Sequence, residues 1–342
     1  MSEKQTKDAA AGDSSPDAGG GHGGGGHGGG QKVVMIALAM NLLIALFKFI
    51  AAVISRSTAM LAEAVHSLAD TANQIFLLIG MRRSSRPPDR LHPFGYGTET
   101  YFWAFIVAGC IFLVGSAVSI WEGVEKTVHI LEGKPTQHGD IRWAVAVLSV
   151  SLVLELISLR SAVQEFKEIS AGRGLLQAVK DARDPTVLTV LFEDLAALFG
   201  LVAALVGVLA SHFLHQPLWD AGASIVVGLA LGVVALFLGR DSMSLLIGEA
   251  VPEEEHRRIV EIAQGHPAVL EVIHVRTQHI APREVLLAMK IRFARDLTMD
   301  ALENKINELE KSLRDELPHL RRIYVEPGFD ESKLRKEQGA PA

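Results

Sequence analysis

The stretch Ser57–Gln74, STAMLAEAVHSLADTANQ, decides how the rest of the chain is read. Its background is apolar, yet it carries Glu63, His66, Asp70 and Asn73 at i, i+3, i+7 and i+10. That spacing returns to one side of a 3.6-residue helix. His66 and Asp70, four apart, point the same way, and an imidazole nitrogen beside a carboxylate oxygen suits zinc and other divalent first-row metals. A charge at the centre of a bilayer costs at least ~2.5–3.5 kcal/mol, so inside a membrane such residues need a partner or a function.

The flanking sequence places the stretch in a membrane. A spanning helix needs ~20 mostly apolar residues. Residues 32–54, 58–80, 101–125, 141–160, 185–211 and 218–239 qualify, and together they predict an all-α, six-helix transmembrane domain. The loop after the second helix holds Arg82, Arg83, Arg86 and Arg90; the one after the fourth holds Lys167, Arg173, Lys180 and Arg183, with Arg160 at its edge. Opposite loops are poorer, with Arg56, then Lys126 and Lys134, then no Lys or Arg in HFLHQPLWD. The positive-inside rule then puts both basic loops and both termini in the cytoplasm. The expected setting is a bacterial inner (plasma) membrane.

After Arg240 the pattern changes. EEEHRRIVEIAQG (253–265) reads as a helix entered through Pro252. AVLEVIHVRTQ, EVLLAMKIRF and RRIYVEP read as strands. Leu302, Ile306, Leu309, Leu313 and Leu317 form the stripe of a second helix that Pro318 ends. The order αββαβ predicts a small cytoplasmic α+β domain. The expected division is a Gly/His-rich tail (1–31), the six-helix domain (32–245), the αββαβ domain (246–330) and a flexible tail (331–342). The first segment, GGGHGGGGHGGGQ at its end, lacks the apolar surface to offset its ordering entropy and reads as disordered, with His22 and His27 within it. It also lacks the apolar core of a signal peptide.

Composition excludes several classes. The net charge of -6 gives no footprint for nucleic acid. The single cysteine, Cys110, allows neither a disulfide framework nor a CxxC metal site. No HExxH motif is present to support a membrane metalloprotease.

A second acidic element sits in the fifth span, VLTVLFEDLAALFG, where Glu193 and Asp194 are adjacent. Two buried carboxylates repel unless one is protonated or a cation lies between them. One cation site accounts for both helices; helix–helix polar pairing is the alternative. Asn41 and Lys48 share a face of the first helix, and Glu155 lies in the fourth. With Glu63 and Asn73, these are candidates for supporting contacts or a proton pathway, and Lys48 and Glu155 for an ion pair.

These residues carry a resemblance. STAMLAEAVHSLADTANQ is similar to the second helix of the cation diffusion facilitator family of metal exporters, and DRLHPFGYG (89–97) resembles that family's His-Pro-Phe/Tyr-Gly loop. Six helices followed by αββαβ match its architecture, over about residues 32–327. The fifth helix departs from the commonest pattern, His-x-x-x-Asp: Asp194 matches, Val190 replaces the histidine, and Glu193 stands beside it. RDPTVLTVLFEDLAALFG resembles the branch containing zinc transporter nine. The resemblance implies export of a divalent cation in exchange for protons, by alternating access, in a homodimer. It implies a transport site of His66, Asp70, Asp194 and Glu193. One nitrogen and three carboxylates suit zinc and also Mn, Fe(II) or Co. Asp89 and His92 fit a secondary family site, with Tyr96 in place of a second histidine. His274 fits a position in the soluble domain, where Met289 and Tyr324 replace histidines, so no binuclear zinc cluster is expected there. The rival reading is a non-transporting membrane subunit of the same fold that senses metal or binds a partner.

Overall fold

The computed structural model describes residues 27–55, 58–133, 141–170, 184–294 and 296–328. The helical part comprises α1 (His27–Ser55), α2 (Thr58–Ser84), α3 (Glu99–Cys110), a π-helical segment (Ile111–Ala117), α4 (Val118–Leu131), α5 (Ile141–Ser170), α6 (Pro185–Leu214) and α7 (Leu218–Ile247). The segments from α3 to α4 form one rod, Glu99–Leu131. A 30-residue helix such as α6 is ~45 Å long, more than the ~30 Å apolar core of a bilayer.

The bundle is turned inside out relative to a water-soluble one. Leu42, Leu46 and Phe49 of α1 and Leu68 and Ile75 of α2 are exposed, while Asn41, Lys48, Ser67, Thr71, Asn73 and Gln74 are buried. Apolar side chains outward and polar ones inward is the arrangement a lipid solvent selects. Five described helices are long and apolar enough to cross a membrane: Gly30–Ile54, Glu99–Leu131, Ala144–Glu168, Pro185–Leu214 and Leu218–Ile247. α2 is not among them although it is 27 residues long, because Glu63, His66, Asp70, Asn73 and Gln74 dilute its apolar character.

Several helices run past the ends expected from the sequence, α5 among them, which reaches Ser170 where about 160 was expected. α1 starts at His27, inside the segment read as a disordered tail. Gly30 there is buried, and an added Cβ would lie 3.6 Å from Met81 and 3.7 Å from Val187, so packing onto α2 and α6 supports the extra turn. Residues 1–26, including His22, lie outside the described residues. The third rod runs to Leu131 because the π-helical segment continues the helix rather than ending it. α7 continues past Arg240 to Ile247, because Leu231, Ala235, Leu238, Ser242 and Leu245 form one unbroken buried stripe. Gly248, with φ +105°, ends it.

The C-terminal part has the expected order: α8 (Glu253–Gly265), β1 (Val269–Ala281), β2 (Glu284–Phe293), α9 (Met299–Glu316) and β3 (Leu320–Pro327). β2 pairs with β1 antiparallel and with β3 parallel. Val285, Leu287, Met289, Ile291 and Phe293 alternate onto one face of β2 and pack with Ile259, Ala263, Leu309 and Leu313 of the two helices. Thr298 caps α9, its hydroxyl accepting from Ala301 N at 3.3 Å.

Candidate metal centre

The acidic pair of α6 is held in place from the start of its helix. Asp184 caps the N-terminus, accepting from Thr186 N at 3.1 Å, and Pro185 occupies the first turn. From there α6 packs against α5 and α7. Glu193 and Asp194 are 6% and 1% exposed. Consecutive helical positions diverge by ~100°, and the carboxylates go separate ways. Glu193 turns to α2: Oε1 accepts from Asn73 Nδ2 at 2.9 Å and Oε2 from Gln74 Nε2 at 2.8 Å. Asp194 turns to α5, where Oδ2 accepts from Ser158 Oγ at 2.7 Å. Its Oδ1 is buried with no hydrogen-bond partner among the described residues. Gln74 Oε1 and, one turn before Glu193, Thr189 Oγ1 are buried in the same condition. An unpaired buried carboxylate oxygen carries a large desolvation cost unless something else satisfies it.

Other intramembrane ionisable groups lie within electrostatic reach of this pair. Asp70, Glu155, Glu193 and Asp194 act on one another electrostatically, and Lys48 acts on Glu155 with the opposite sign. Asp70 is partly buried on α2. Asn41 is buried on α1, seven residues before Lys48. Glu63 and His66 fall within α2, but their side chains lie outside the described residues. Among the described side chains, no three of His, Cys, Asp and Glu gather closely enough to hold an ion. Asp70, Glu193 and Asp194, three of the four residues the sequence singled out as ligands, are described and do not form such a group; the fourth, His66, has its side chain outside the described residues.

Sequence reasoning singled out Asn73 but not Gln74 or Ser158. The available signal was polarity within an apolar span: Gln74 is four residues from Asp70, and Ser158 is three from Glu155.

The loop after α2 places Asp89 and His92 together at the surface. Asp89 Oδ1 accepts from Leu91 N at 2.9 Å and His92 N at 2.7 Å, and Oδ2 accepts from Tyr96 OH at 2.7 Å. The His92 and Tyr96 rings lie 4.2 Å apart, and His92 Nδ1 is 3.6 Å from Asp89 Oδ1. The Tyr96 hydroxyl, followed by the His92 amide, holds the Asp89 carboxyl below its ordinary value of 3.8. Both carboxylate oxygens are thus engaged in shaping the loop. In the C-terminal part, His274 pairs with Lys290 across β1 and β2. Met289 points into the core, whereas Tyr324, opposite Ala288, is exposed on the other face.

Residues 34–247 match the cation efflux transmembrane domain, and residues 251–327 match the cytoplasmic domain of cation efflux proteins. The chain is similar to the proton-coupled zinc antiporter SLC30A9, mitochondrial, of Xenopus laevis, at 32% identity over 320 residues, 90% of this chain and 56% of that protein. It is similar to metal tolerance protein C4 of Arabidopsis thaliana, at 32% over 308 residues, 89% of this chain and 65% of that one. Magnetosome protein MamB of Paramagnetospirillum magneticum is 24% identical over 299 residues, 87% of this chain and 94% of that one. The chain thus spans little more than half the length of the Xenopus protein.

Proposed function

The chain belongs to the cation efflux family, a family of transporters rather than enzymes, and from that premise we propose that it exports a divalent metal cation, zinc foremost, in exchange for protons. The transported ion is held by His66, Asp70 and Asp194, with Glu193 beside it; Mn, Fe(II) and Co are the other ions such a donor set accepts. The observation that carries this reading is the buried acidic pair of α6, with Asp194 fixed by Ser158 and its Oδ1 without a hydrogen-bond partner among the described residues. A carboxylate buried in this way is suited to serve as a cation ligand.

Exchange follows from the donor chemistry. A carboxylate or imidazole binds a metal only when deprotonated, so metal and protons compete for the same atoms. The clustered charges of Asp70, Glu155, Glu193 and Asp194 need positive compensation in a low-dielectric bundle, which a cation supplies in one state of the cycle and protons in another. Opening this cluster alternately to the two sides moves the ion. Asn41, Lys48, Glu63, Asn73 and Glu155 surround the site as supporting contacts or a proton path.

The reading includes six spans, with α2 as the polar one; a division at about residues 31, 245 and 330; both termini in the cytoplasm of a bacterial inner membrane; and a homodimer built through the C-terminal part. Asp89 and His92 serve the loop first and are at most a secondary metal site. The names of the Xenopus and Arabidopsis relatives support the zinc and metal assignment; charge bias alone supports the orientation. The SLC30A9 relatives are named as mitochondrial, and that membrane is theirs.

The test is transport in proteoliposomes with a panel of divalent metals and an imposed pH gradient. The expected result is metal flux coupled to opposite proton flux in the wild type and flux at background in Asp70→Ala, with both proteins eluting alike on gel filtration. A wild type inert toward every metal supports the rival subunit role instead.

A further inference from the structure

The bonds that join Glu193 to α2 involve a residue with no assigned role. Asn73 and Gln74 are consecutive on α2, and each gives one amide N–H to a different oxygen of Glu193. The carboxylate therefore sits astride the helix surface between two side chains that diverge by ~100°. Gln74 is 0% exposed, and its own Oε1 has no hydrogen-bond partner among the described residues. Leaving a buried amide oxygen unpaired is costly, so the residue is poorly suited to generic packing. What it does is aim one donor at one acid.

That aim bears on metal choice. Position 190, one turn before Asp194, is Val190, so α6 offers no imidazole there. The neighbouring acid is a glutamate, with one more rotatable bond than an aspartate. Left alone it samples many positions. A carboxylate has about four acceptor sites on its two oxygens. With one on each oxygen taken by an amide, the remaining lone pairs are fixed in direction. Removing a group that orients a ligand in this way typically costs about 10–100-fold in metal affinity or activity.

We propose that Gln74, together with Asn73, is a positioning residue that fixes Glu193 beside the ion held by His66, Asp70 and Asp194, and thereby sets the preference between zinc and harder ions such as Mn. The inference rests on the transport reading above. In it, α2 contributes both its own ligands and the clamp that orients Glu193 of α6, so the two helices form one binding unit.

The experiment uses the full-length protein in proteoliposomes. KM and maximal rate are measured for zinc, cobalt and manganese in the wild type, Gln74→Leu, Glu193→Ala and the double variant. Gln74→Leu is expected to raise the KM for zinc by about 10–100-fold, the usual loss on removing such a partner, and to shift the zinc-to-manganese ratio. In the Glu193→Ala background the same substitution should change neither quantity, because its target is gone. Three results overturn the proposal: unchanged KM and metal ratio in Gln74→Leu, an equal fall in rate for all metals at constant KM, or a full Gln74→Leu effect that persists without Glu193. If Gln74→Leu fails to assemble, Gln74→Met, similar in length and unbranched, is judged by the same criteria. A wild type that moves no metal overturns the transport reading and this inference with it. Wild-type transport with an indifferent Gln74 overturns the inference alone.

Discussion

Glu193 and Asp194 differ by one methylene and by ~100° of helix, and those two differences assign them different work. Asp194 is fixed by a single hydroxyl from α5, its Oδ1 without a hydrogen-bond partner among the described residues; Glu193 has both oxygens clamped from α2. Asp194→Asn is therefore expected to stop transport of every metal. Glu193→Gln should leave residual transport with altered metal preference, because a neutral amide has one acceptor oxygen where the clamp offers two donors. Adding Val190→His to Glu193→Gln should restore a more zinc-like site, since it rebuilds His-x-x-x-Asp on one face. Metal-dependent proton flux across several pH values checks all three. Normal transport by Asp194→Asn beside an inert Glu193→Gln reverses the assignment. Asp89 titrates differently. Its carboxyl lies below its ordinary value of 3.8 in the folded loop. A depressed carboxyl contributes stability that is present above its unfolded value and is lost as pH falls through its folded one. The loop bonds of Asp89 should thus persist as pH falls to its ordinary value of 3.8 and be lost only below it. Chemical shifts of the Asp89 carboxyl in the labelled protein report this directly, and a titration midpoint above its ordinary value contradicts it. At this scale the acids were legible, because a charge in an apolar run has few innocent explanations. Gln74 and Ser158 were not, because an uncharged polar residue is cheap enough to occur in a span without purpose.

At the scale of elements, the apolar runs gave the helices, and their ends were the weak point. The sequence reading counted six spans; five of the described helices are apolar enough to cross a membrane by length and composition, whereas α2 relies on its neighbours to cover Ser67, Thr71, Asn73 and Gln74. The start of α1 at His27 and the reach of α7 to Ile247 depend on packing partners far away in the chain, such as Met81 and Val187 against Gly30. Local propensity opposes a helix through Gly28, Gly29 and Gly30, so no local signal predicted it. The αββαβ order was legible because period-2 and 3.6-period stripes alternate cleanly from residue 253 onward. The π-helical segment had no sequence signal. It lies against α7: a Cβ on Gly228 would stand 2.9 Å from both Ser116 O and, in α4, Ile120 N. Backbone atoms cannot swing aside as a side chain tip does. Gly228→Ala is expected to destabilise the bundle by ~1–3 kcal/mol, the usual cost of overpacking. Thermal unfolding in detergent should show a lower midpoint. An unchanged midpoint means that the rods separate without cost, and the close approach is not structural.

At the scale of the whole molecule, the described residues attach the C-terminal part to the bundle in at least two places. Directly after α7, His279 N donates to Glu249 O at 3.0 Å and Val251 N to Thr277 Oγ1 at 3.1 Å, which ties β1 to the helix end. The part has its own apolar core, so residues 246–330 are a reasonable fragment to study alone. Met289 and Tyr324 lie on opposite faces of the sheet, and the fragment is expected to bind zinc weakly or not at all in a calorimetric titration. Tight binding of two ions per chain refutes that. The second attachment is the loop between α2 and α3, whose Gly97 lies against the end of β1. A Cβ added at Gly97 would fall 2.4 Å from both Ala281 Cβ and Ile280 O. This is a position where only glycine allows the backbones to approach. Because α2 carries Asp70 and the Glu193 clamp, the contact links the C-terminal part to the helix that holds the metal site. Arg83 Nε at 3.5 Å and Trp103 Nε1 at 2.9 Å from the Glu99 carboxylate brace the same corner between α2 and α3. Gly97→Ala is therefore expected to slow transport by about 5–150-fold, what ~1–3 kcal/mol of overpacking implies if it falls on the transport cycle, while the protein still assembles. Adding Ala281→Gly removes only one of the two clashes, because the Ile280 carbonyl remains, so rescue should be partial. Proteoliposome flux and gel filtration of the wild type and both variants decide the matter. Full-speed transport by Gly97→Ala means that the loop and β1 separate freely during the cycle, and α2 then moves without reference to the C-terminal part.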